Sequence, residues 1–302
     1  MGPPSLEVVI VSYKSEGLLA DCLSSLREHP PAAATMRVHV VDNASGEQLP
    51  AMVRARFPEV KLTVLDENAG FSAANNVALG QASADFVLVL NSDTRITPGS
   101  LDALLDLMAD HPEIGMCGPR LVMNDGTFDH ASRRSFPTPL SALGHFTGIG
   151  QRLPGGRLAA YRAPEVSEGA VDAINGAFML IRREALEQVG HFDEVYWMYM
   201  EDLDLCYRFW QADWKVWYEP SVSVFHVKAG TSGRHRKWKL NYAFHYGMYR
   251  FYRAHMAPDR PALVNLVIYL GIGLKLLVAV ASSAGHRGLR RIRRASSRRV
   301  GV

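Results

Sequence analysis

The chain has 302 residues, of which 48% are hydrophobic and 21% are charged, and this composition excludes an intrinsically disordered protein. The length suits one large domain, or one domain with an appendage. Three widely separated cysteines, Cys22, Cys117 and Cys206, exclude a CxxC zinc site and a disulfide framework, and predict reduced thiols in a cytosolic protein. The run EVVIVS, residues 7–12, follows no basic segment, so we predict a core strand and not a signal peptide.

The net charge of +3 is unevenly distributed along the chain. Residues 260–302 hold nine Lys and Arg and no Asp or Glu, so the rest of the chain carries −6. These charges follow an apolar segment, and the Arg-rich end has no base-stacking aromatic residues. This order favours an anionic membrane surface over a nucleic acid as the partner.

Four short β-rich runs alternate with helix-like stretches in the first third of the chain. The runs are residues 7–12, 37–42, 61–65 and 85–90, and the stretches are 16–28, 47–57, 70–82 and 98–110. Strands that alternate with helices predict βαβ units and a parallel sheet with helices on both faces. Ligands bind such sheets at the carboxyl ends of the strands, which here carry Ser12 and Tyr13, Asp42 and Asn43, and residues 91–95.

The rest of the chain is less regular, and the Gly/Pro/Arg-rich residues 133–169 are its least predictable part. Residues 173–194 are predicted as a strand that runs into a helix. We expect two strands around Pro220 and a helix over 237–256. Another helix is predicted to begin near Glu201, with an apolar face formed by Leu203, Cys206, Tyr207 and Trp210.

Two motifs near the predicted strand ends favour nucleotide binding. Asp42 and Asn43 close the second strand, and a carboxylate beside an amide can bind a nucleobase edge or ribose hydroxyls. Asn68, Gly70 and Asn75 lie where a loop enters a helix, so free backbone N–H groups could face an anion or a nucleotide. The alternatives are a turn with a helix cap at Asp42 and an ordinary helix start at Gly70.

Asp93 and His226 favour a metal site. Asp93 follows a buried strand, and this position suits a hard divalent cation that bridges a diphosphate. His226 ends another predicted strand and could be a second metal ligand, with Lys228 and Arg234 near the phosphates. The alternatives are a helix cap for Asp93 and a structural role for His226.

Glu201 and Asp202 open a predicted helix. The helix macrodipole and the unpaired N–H groups there favour ionised carboxylates, one of which could act as a general base. The alternative is simple charge complementation of the helix start, which any acidic pair would satisfy.

Six motifs in this order resemble those of the family 2 inverting glycosyltransferases, which have the nucleotide-sugar-binding GT-A fold. They span roughly residues 6–256 and read VVIVSY, VVDNAS, ENAGFSAANN, LNSDTR, NGAFMLIRR and EDLDLCYR. The sequence is most similar to the bacterial rhamnosyltransferase branch, which includes enzymes that add rhamnose to a polyprenyl-diphosphate-linked sugar. The resemblance implies an α/β fold with a mixed, Rossmann-like nucleotide-binding sheet flanked by helices.

The resemblance also implies residue roles. Asp202 would be the catalytic base, and Asp93 with His226 would hold Mg²⁺ or Mn²⁺. Asn91 replaces the first carboxylate of the family's DxD element, so Asp93 would carry most of the metal contact. Lys228 and Arg234 would lie near the donor phosphates.

The remaining implied roles concern the two substrates. The acceptor would contact Asn175, Gly176, Ala177 and Glu201. The nucleotide would contact Ser12, Tyr13, Asp42, Asn43, Asn68, Gly70, Phe71, Asn75 and Ser92.

The implied reaction is a single in-line displacement that inverts the anomeric centre. A sugar, L-rhamnose from dTDP-rhamnose, would move to a polyprenyl-diphosphate-linked saccharide in cell-wall or surface polysaccharide synthesis. Three alternatives stay open: transfer of another UDP- or dTDP-hexose, a sugar nucleotidyltransferase, and a non-catalytic membrane-anchored sugar-binding scaffold.

We expect a catalytic domain over 1–256, with a nucleotide-sugar half up to about residue 120 and an acceptor half over 121–256, followed by an apolar helix and an Arg-rich tail over 257–302. Residues 262–284 would span about 34 Å as a helix, enough for a ~30 Å bilayer core. Lys275 near the middle disfavours a simple span. We therefore predict a helix in the membrane interface at the cytoplasmic face, with packing on the core or in a homo-oligomer as the alternative.

Overall fold

The computed structural model describes residues 2–137, 168–228 and 238–299, with side chains described as far as Ser283. Contacts divide these residues into two compact units. The first takes in the described residues up to Trp197 and those from Glu201 to Lys228. The second takes in Met198–Met200 and the described residues from Trp238 onward.

The first unit is an α/β unit. Its helices are α1 (Glu16–Glu28), α2 (Gln48–Arg56), α3 (Gly70–Leu79), α4 (Ser100–Asp110), α5 (Arg183–Val189) and α6 (Glu201–Gln211). Its strands are β1 (Ser5–Ser12), β2 (Thr35–Asp42), β3 (Lys61–Val64), β4 (Phe86–Asn91), β5 (Thr94–Arg95), β6 (Ile114–Val122), β7 (Arg133–Arg134), β8 (Gly169–Ala170), β9 (Ala173–Ile174), β10 (Phe178–Arg182) and β11 (Lys215–His226). The strands and helices predicted in the first 110 residues are confirmed, with ends within three residues of those predicted.

Nine strands form one mixed sheet in the order β3-β2-β1-β4-β10-β6-β11-β5, with β8 beside β11. The first four strands in this order are parallel, whereas β10 runs antiparallel to both β4 and β6. The parallel register sets Ser12 opposite Asp42 and Val11 opposite Asn91. The polar carboxyl ends of β1, β2 and β4 therefore lie on one rim, as the sequence predicted.

The central strands carry the core of this unit. Val8, Ile10, Leu88 and Leu90 are at most 1% exposed and pack in one cluster with the inner face of α1. Burial of each such side chain contributes roughly 1.5–3 kcal/mol. This core holds the rim above it in place.

Two predictions for the second half of the chain are wrong. β11 is one strand and not two, although its pairing with β6 shifts in register between Glu219 and Ser223. Pro220 lies inside this irregularity, where its missing N–H removes no regular ladder bond. Trp210 was predicted on the apolar face of α6, but it is 59% exposed. The buried face of α6 contains Phe209 and the carboxylates of its first turn instead.

The second unit contains α7 (Trp238–His255), which confirms the predicted helix, and α8 (Ala262–Arg299). The Tyr252 hydroxyl donates to Asn265 Oδ1 at 2.6 Å, and Asn241 Nδ2 donates to Ser283 Oγ at 3.0 Å. These pairs join opposite ends of α7 to successive parts of α8, so the two helices run antiparallel.

In the described part of the chain, Ala262–Ser283 is long and apolar enough to cross a membrane, and an 18-residue window within it has a mean hydropathy of 2.3. Apart from Val264, its exposed large apolar side chains recur at helical spacing on one face. We call this set the apolar stripe: Leu263, Leu266, Val267, Leu270, Leu274, Leu277 and Val278.

Candidate active site

Asp42 and Asn43 are buried at the end of β2. Asp42 Oδ1 accepts the N–H of Ser45 at 3.1 Å, so one oxygen closes a turn, as the alternative interpretation expected. Asp42 Oδ2 is buried and has no hydrogen-bond partner among the described residues. An unpaired buried acceptor costs about 1–3 kcal/mol, which a ligand N–H donor such as a nucleobase edge would recover.

Asn43 holds the loop that enters α3. Its Nδ2 donates to the carbonyl of Gly70 at 2.9 Å, and its Oδ1 accepts the N–H of Ala69 at 2.8 Å. Asn68 Oδ1 accepts the N–H of Gly70 at 3.0 Å. These N–H groups are therefore paired within the protein and are not free to bind an anion, which corrects that part of the prediction.

Gly70 fixes this loop to the segment that precedes α6. Its φ is +90°, and a Cβ there would lie 2.3 Å from the carbonyl oxygen of Trp197. The N–H of Phe71 donates to the same oxygen at 2.7 Å. In the next turn, Asn75 Nδ2 donates to the Phe71 carbonyl at 2.9 Å, whereas its buried Oδ1 has no partner in the part of the chain described.

Ser12 and Ser92 meet at the rim. Ser15 Oγ lies 2.8 Å from Ser12 Oγ and 3.2 Å from Ser92 Oγ. The N–H of Asn43 donates to the Ser12 carbonyl at 2.8 Å, and Tyr13 is 40% exposed beside it. The predicted nucleotide-binding residues of β1, β2 and β4 are thus brought together.

Asp93 and His226 face each other across β5 and β11. Thr94 pairs with His226 in the ladder, and the N–H of Val227 donates to the Asp93 carbonyl at 2.8 Å. His226 Nε2 lies 3.4 Å from Asp93 Oδ1. Gly99, and not Asp93, is the N-cap residue of α4, so the capping alternative for Asp93 is wrong.

This pair fits a divalent cation that also binds a diphosphate. Adjacent ligands of a six-coordinate ion at ~2.1 Å lie about 3 Å apart, near the observed Nε2 to Oδ1 separation. Within the described residues, no group of three or more His, Cys, Asp or Glu side chains could hold an ion by itself. Substrate oxygens and water would complete the coordination of a cation held by Asp93 and His226.

Asp129 lies on the other side of the His226 ring. Its Oδ2 is 3.1 Å from His226 Nδ1, and its Oδ1 accepts from Lys228 Nζ at 2.7 Å. Burial opposes ionisation of Asp129, but hydrogen bonds from His226 and Lys228 outweigh it and lower its pKa. Burial likewise opposes the charged form of His226, but hydrogen bonds to Asp129 and Asp93 raise its pKa.

Asp202 begins α6 and meets only hydrogen-bond donors among its described contacts. Its Oδ2 forms an ion pair with Arg134 and accepts the N–H of Gly176 at 3.0 Å. Its Oδ1 accepts the N–H of Leu203 at 2.8 Å. These contacts fix the position of the Asp202 carboxylate in the first turn of α6.

Glu201 has the opposite environment. Its side chain is buried, and Oε2 has no hydrogen-bond partner in the described structure. Burial and then the charge of Asp202 raise the pKa of Glu201 to about 8. At neutral pH, Glu201 therefore holds a proton.

The segment Asn175–Ala177 connects Asp202 to the rim. Asn175 Oδ1 accepts the N–H of Ala177 at 2.8 Å, and the Ala177 carbonyl accepts the N–H of Asn91 at 3.0 Å. Because the N–H of Gly176 donates to Asp202, backbone groups join Asp202 to the residue two positions before Asp93.

Sequence reasoning missed Asp129 and Arg134. Each contacts a side chain that is distant in the sequence: Asp129 contacts His226, and Arg134 contacts Asp202. Neither residue belongs to a recognisable local motif. Lys228 lies beside Asp129, whereas Arg234 lies outside the described residues.

Comparison with known proteins identifies relatives of this chain. The sequence pattern of glycosyl transferase family 2 matches residues 7–190. The chain is 36% identical over 246 residues to the N-acetylglucosaminyl-diphospho-decaprenol L-rhamnosyltransferase of Mycobacterium tuberculosis strain H37Rv. The aligned region covers 76% of this chain and 78% of the relative.

Two solved structures share the fold. The mannosyltransferase PcManGT from Pyrobaculum calidifontis, in complex with GDP-Man and Mn²⁺, has a TM-score of 0.57 and 18% identity over 94% of this chain and 74% of its own. TarS residues 1–349 of S. aureus, in complex with UDP-GlcNAc, has a TM-score of 0.57 and 18% identity over 88% of this chain and 70% of its own. These likenesses establish the GT-A type of α/β fold.

Proposed function

The chain belongs to glycosyl transferase family 2, and on this premise we propose that it is an inverting rhamnosyltransferase. The donor is dTDP-L-rhamnose, and the acceptor is a polyprenyl-diphosphate-linked saccharide of cell-wall or surface polysaccharide synthesis. The curated rhamnosyltransferase of M. tuberculosis, similar over most of both chains, supports this substrate pair.

One observation carries the proposal. Asp202 is hydrogen-bonded through Gly176 to the segment that contacts Asn91, two residues before Asp93. A carboxylate base and a metal-binding carboxylate thus share one short backbone connection, as a displacement at a diphosphate-bearing sugar requires.

The base works as follows. The ionised carboxylate of Asp202 accepts the proton of the acceptor hydroxyl while that oxygen attacks the anomeric carbon from the face opposite the diphosphate. Asn175, Gly176 and Ala177 line the acceptor side next to it, and Glu201 stays protonated behind it. No covalent intermediate with the protein is needed.

Donor binding uses the rim. Asp42 Oδ2 and Asn75 Oδ1 accept hydrogen bonds from N–H or O–H groups of the nucleoside, since both oxygens are buried without partners among the described residues. Asp93 Oδ1 and His226 Nε2 would hold Mg²⁺ or Mn²⁺. When bound, the cation neutralises the charge that grows on the leaving diphosphate. The family resemblance assigns the remaining nucleotide contacts to Ser12, Tyr13, Asn43, Asn68, Gly70, Phe71 and Ser92, and it would put Lys228 near the phosphates. Arg234 lies outside the described residues and stays a sequence-based expectation.

Helix α8 attaches the protein to the membrane that holds its acceptor. The apolar stripe provides the buried face, and Lys275 lies about 100° round the helix from Leu274, where its amine can reach the headgroups. The seven arginines after residue 286 each add up to ~1 kcal/mol of attraction to an anionic leaflet. The three cysteines are free and buried, which supports the reducing, cytoplasmic face.

A panel of nucleotide sugars tests this function. We expect the full chain to release dTDP from dTDP-L-rhamnose, with an N-acetylglucosaminyl-diphosphate polyprenol as acceptor, faster than the diphosphate from other UDP- or dTDP-hexoses. Equal or faster turnover of another hexose would assign the donor to that sugar. Release of pyrophosphate from a nucleoside triphosphate and a sugar phosphate would favour the nucleotidyltransferase, and no turnover of any donor would favour the scaffold.

A further inference from the structure

We propose that Asp129 is a positioning residue that holds the His226 imidazole with Nδ1–H donated to the Asp129 carboxylate and Nε2 directed to Asp93. The inference rests on the proposed function in one respect, since Nε2 is the atom assigned there to the cation. The orientation of the ring itself is independent of that assignment.

The Asp129 side chain is fixed from all sides. It is 2% exposed, and its Oδ1 accepts from Lys228 Nζ at 2.7 Å and from the N–H of Ala131 at 2.9 Å. Its own N–H donates to the Leu121 carbonyl at 2.9 Å, which ties the loop to β6. Only Oδ2 remains for His226, at 3.1 Å from Nδ1.

This fixed acceptor selects one state of the imidazole. A neutral imidazole carries a proton on one ring nitrogen only, so donation from Nδ1–H to Asp129 leaves the lone pair on Nε2. Nε2 lies 3.4 Å from Asp93 Oδ1, so in the protonated ring Nε2–H donates to Asp93. In the neutral ring a cation could replace that proton, and the Nε2 lone pair and Asp93 Oδ1 would then both be directed to the ion. Carboxylates that accept from the second nitrogen of a metal-binding histidine typically contribute 10–100-fold in metal affinity.

The ammonium group of Lys228 compensates the negative charge of the buried Asp129 carboxylate. An ionised carboxyl of such low exposure needs a compensating charge, and Lys228 provides it while remaining 39% exposed at its side chain. Lys228 adopts a φ of 44°, which is unfavourable for a residue with a Cβ. The ion pair with Asp129 stabilises this backbone conformation.

Two measurements test the role of Asp129. In ¹⁵N-histidine-labelled protein without metal, at a pH where the ring is neutral, we expect the His226 signals of the Nδ1–H tautomer. We expect Asp129→Ala to shift them towards the Nε2–H tautomer. With dTDP present, calorimetry or Mn²⁺ EPR should show about 10–100-fold weaker Mn²⁺ binding to Asp129→Ala.

Two further variants guard against misfolding and general effects. Asp129→Asn keeps the shape, but Lys228 and the N–H of Ala131 would hold its amide oxygen, so its Nδ2 would donate to Nδ1. We therefore expect the Nε2–H tautomer and Mn²⁺ binding as weak as in Asp129→Ala. Asp125 is an exposed carboxylate of the same loop, and its hydrogen bonds with described residues are all to Thr127, so Asp125→Ala should bind Mn²⁺ as the wild type does.

The outcomes separate the two claims. Wild-type protein that binds no Mn²⁺ with dTDP would overturn the proposed metal site, while the NMR signals would still report on Asp129. An Nε2–H tautomer in the wild type, or Mn²⁺ affinity in Asp129→Ala equal to that of the wild type, would overturn the positioning role.

Discussion

Glu201 and Asp202 are adjacent carboxyl groups with opposite environments. Asp202 receives an ion pair from Arg134 and N–H groups from Gly176 and Leu203, whereas Glu201 Oε2 has no donor among the described residues. When neighbouring carboxyls are separated in this way, the proton stays on one and the other acts as the base. This division supports Asp202 as the base.

The buried Glu201 predicts a pH dependence of stability. Its pKa is raised from an ordinary 4.5 to about 8, so the stability it contributes is complete below about pH 4.5 and is lost as pH rises towards 8. We expect the free energy of unfolding of the wild type to fall by up to about 1.4 kcal/mol per pH unit in this window. The Glu201→Gln protein should show a flatter profile in urea denaturation, and identical slopes would refute the assignment.

Asp93 predicts a metal-dependent loss of nucleotide affinity. We expect Asp93→Ala to bind dTDP at least about tenfold more weakly than the wild type with Mn²⁺, and nearly equally in excess chelator, because the cation links protein and phosphates. Calorimetric titration with dTDP under both conditions measures this. An equal loss under both conditions, or full activity of the wild type in chelator, would remove the metal from the mechanism.

Asp93, Asp202 and His226 could be found from the sequence because each stands where a periodic apolar pattern begins or ends. Asp129 and Arg134 could not, since their partners His226 and Asp202 lie 97 and 68 residues further on and the contacts depend on packing. The local apolar pattern of a sequence indicates where a helix or strand ends, but it does not indicate which distant side chains contact each other there.

The helix α3 depends on one glycine at its start. Gly70 has φ +90° and would place a Cβ 2.3 Å from the Trp197 carbonyl, whereas Gly46 has φ +98° with nothing within 4 Å of its Cβ position. We expect Gly46→Ala to cost about 1–2 kcal/mol from backbone strain alone, and Gly70→Ala to cost about 1–3 kcal/mol more from the clash. Urea unfolding of both variants measures the difference, and equal losses would contradict the close contact.

Apart from the two-residue strand β5, the strands and helices of the first 110 residues followed from apolar periodicity, because each is long enough to show a regular pattern. β11 did not, since the neighbouring β6 keeps it paired through the irregularity at Pro220. The inward face of α6 also differed, because Asp202 finds its partners Arg134 and Gly176 on other elements. Tertiary partners decided these features, and a single sequence does not show them.

The membrane role of α8 can be tested on the intact chain. We expect replacement of Leu270 and Leu274 by Glu to abolish co-sedimentation with anionic liposomes, because both lie on the apolar stripe. Ser282→Glu, an exposed position outside the stripe, serves as the matched control.

Shortening the chain to end at Pro258 should have the same effect on liposome binding. Such a protein should use a lipid-linked acceptor poorly and still glycosylate a short water-soluble analogue, because attachment brings the site to its substrate. If the shortened, substituted and full-length proteins sediment equally, α8 packs against protein and not against lipid.

The most direct test of inverting rhamnosyl transfer compares the full chain with Asp202→Asn on dTDP-L-rhamnose and an N-acetylglucosaminyl-diphosphate polyprenol. We predict a rhamnosylated lipid whose anomeric configuration is opposite to that of the donor. Asp202→Asn should turn over about 10²–10⁴-fold more slowly, with dTDP affinity nearly unchanged. A product of retained configuration, or near-normal turnover by Asp202→Asn, would contradict the mechanism.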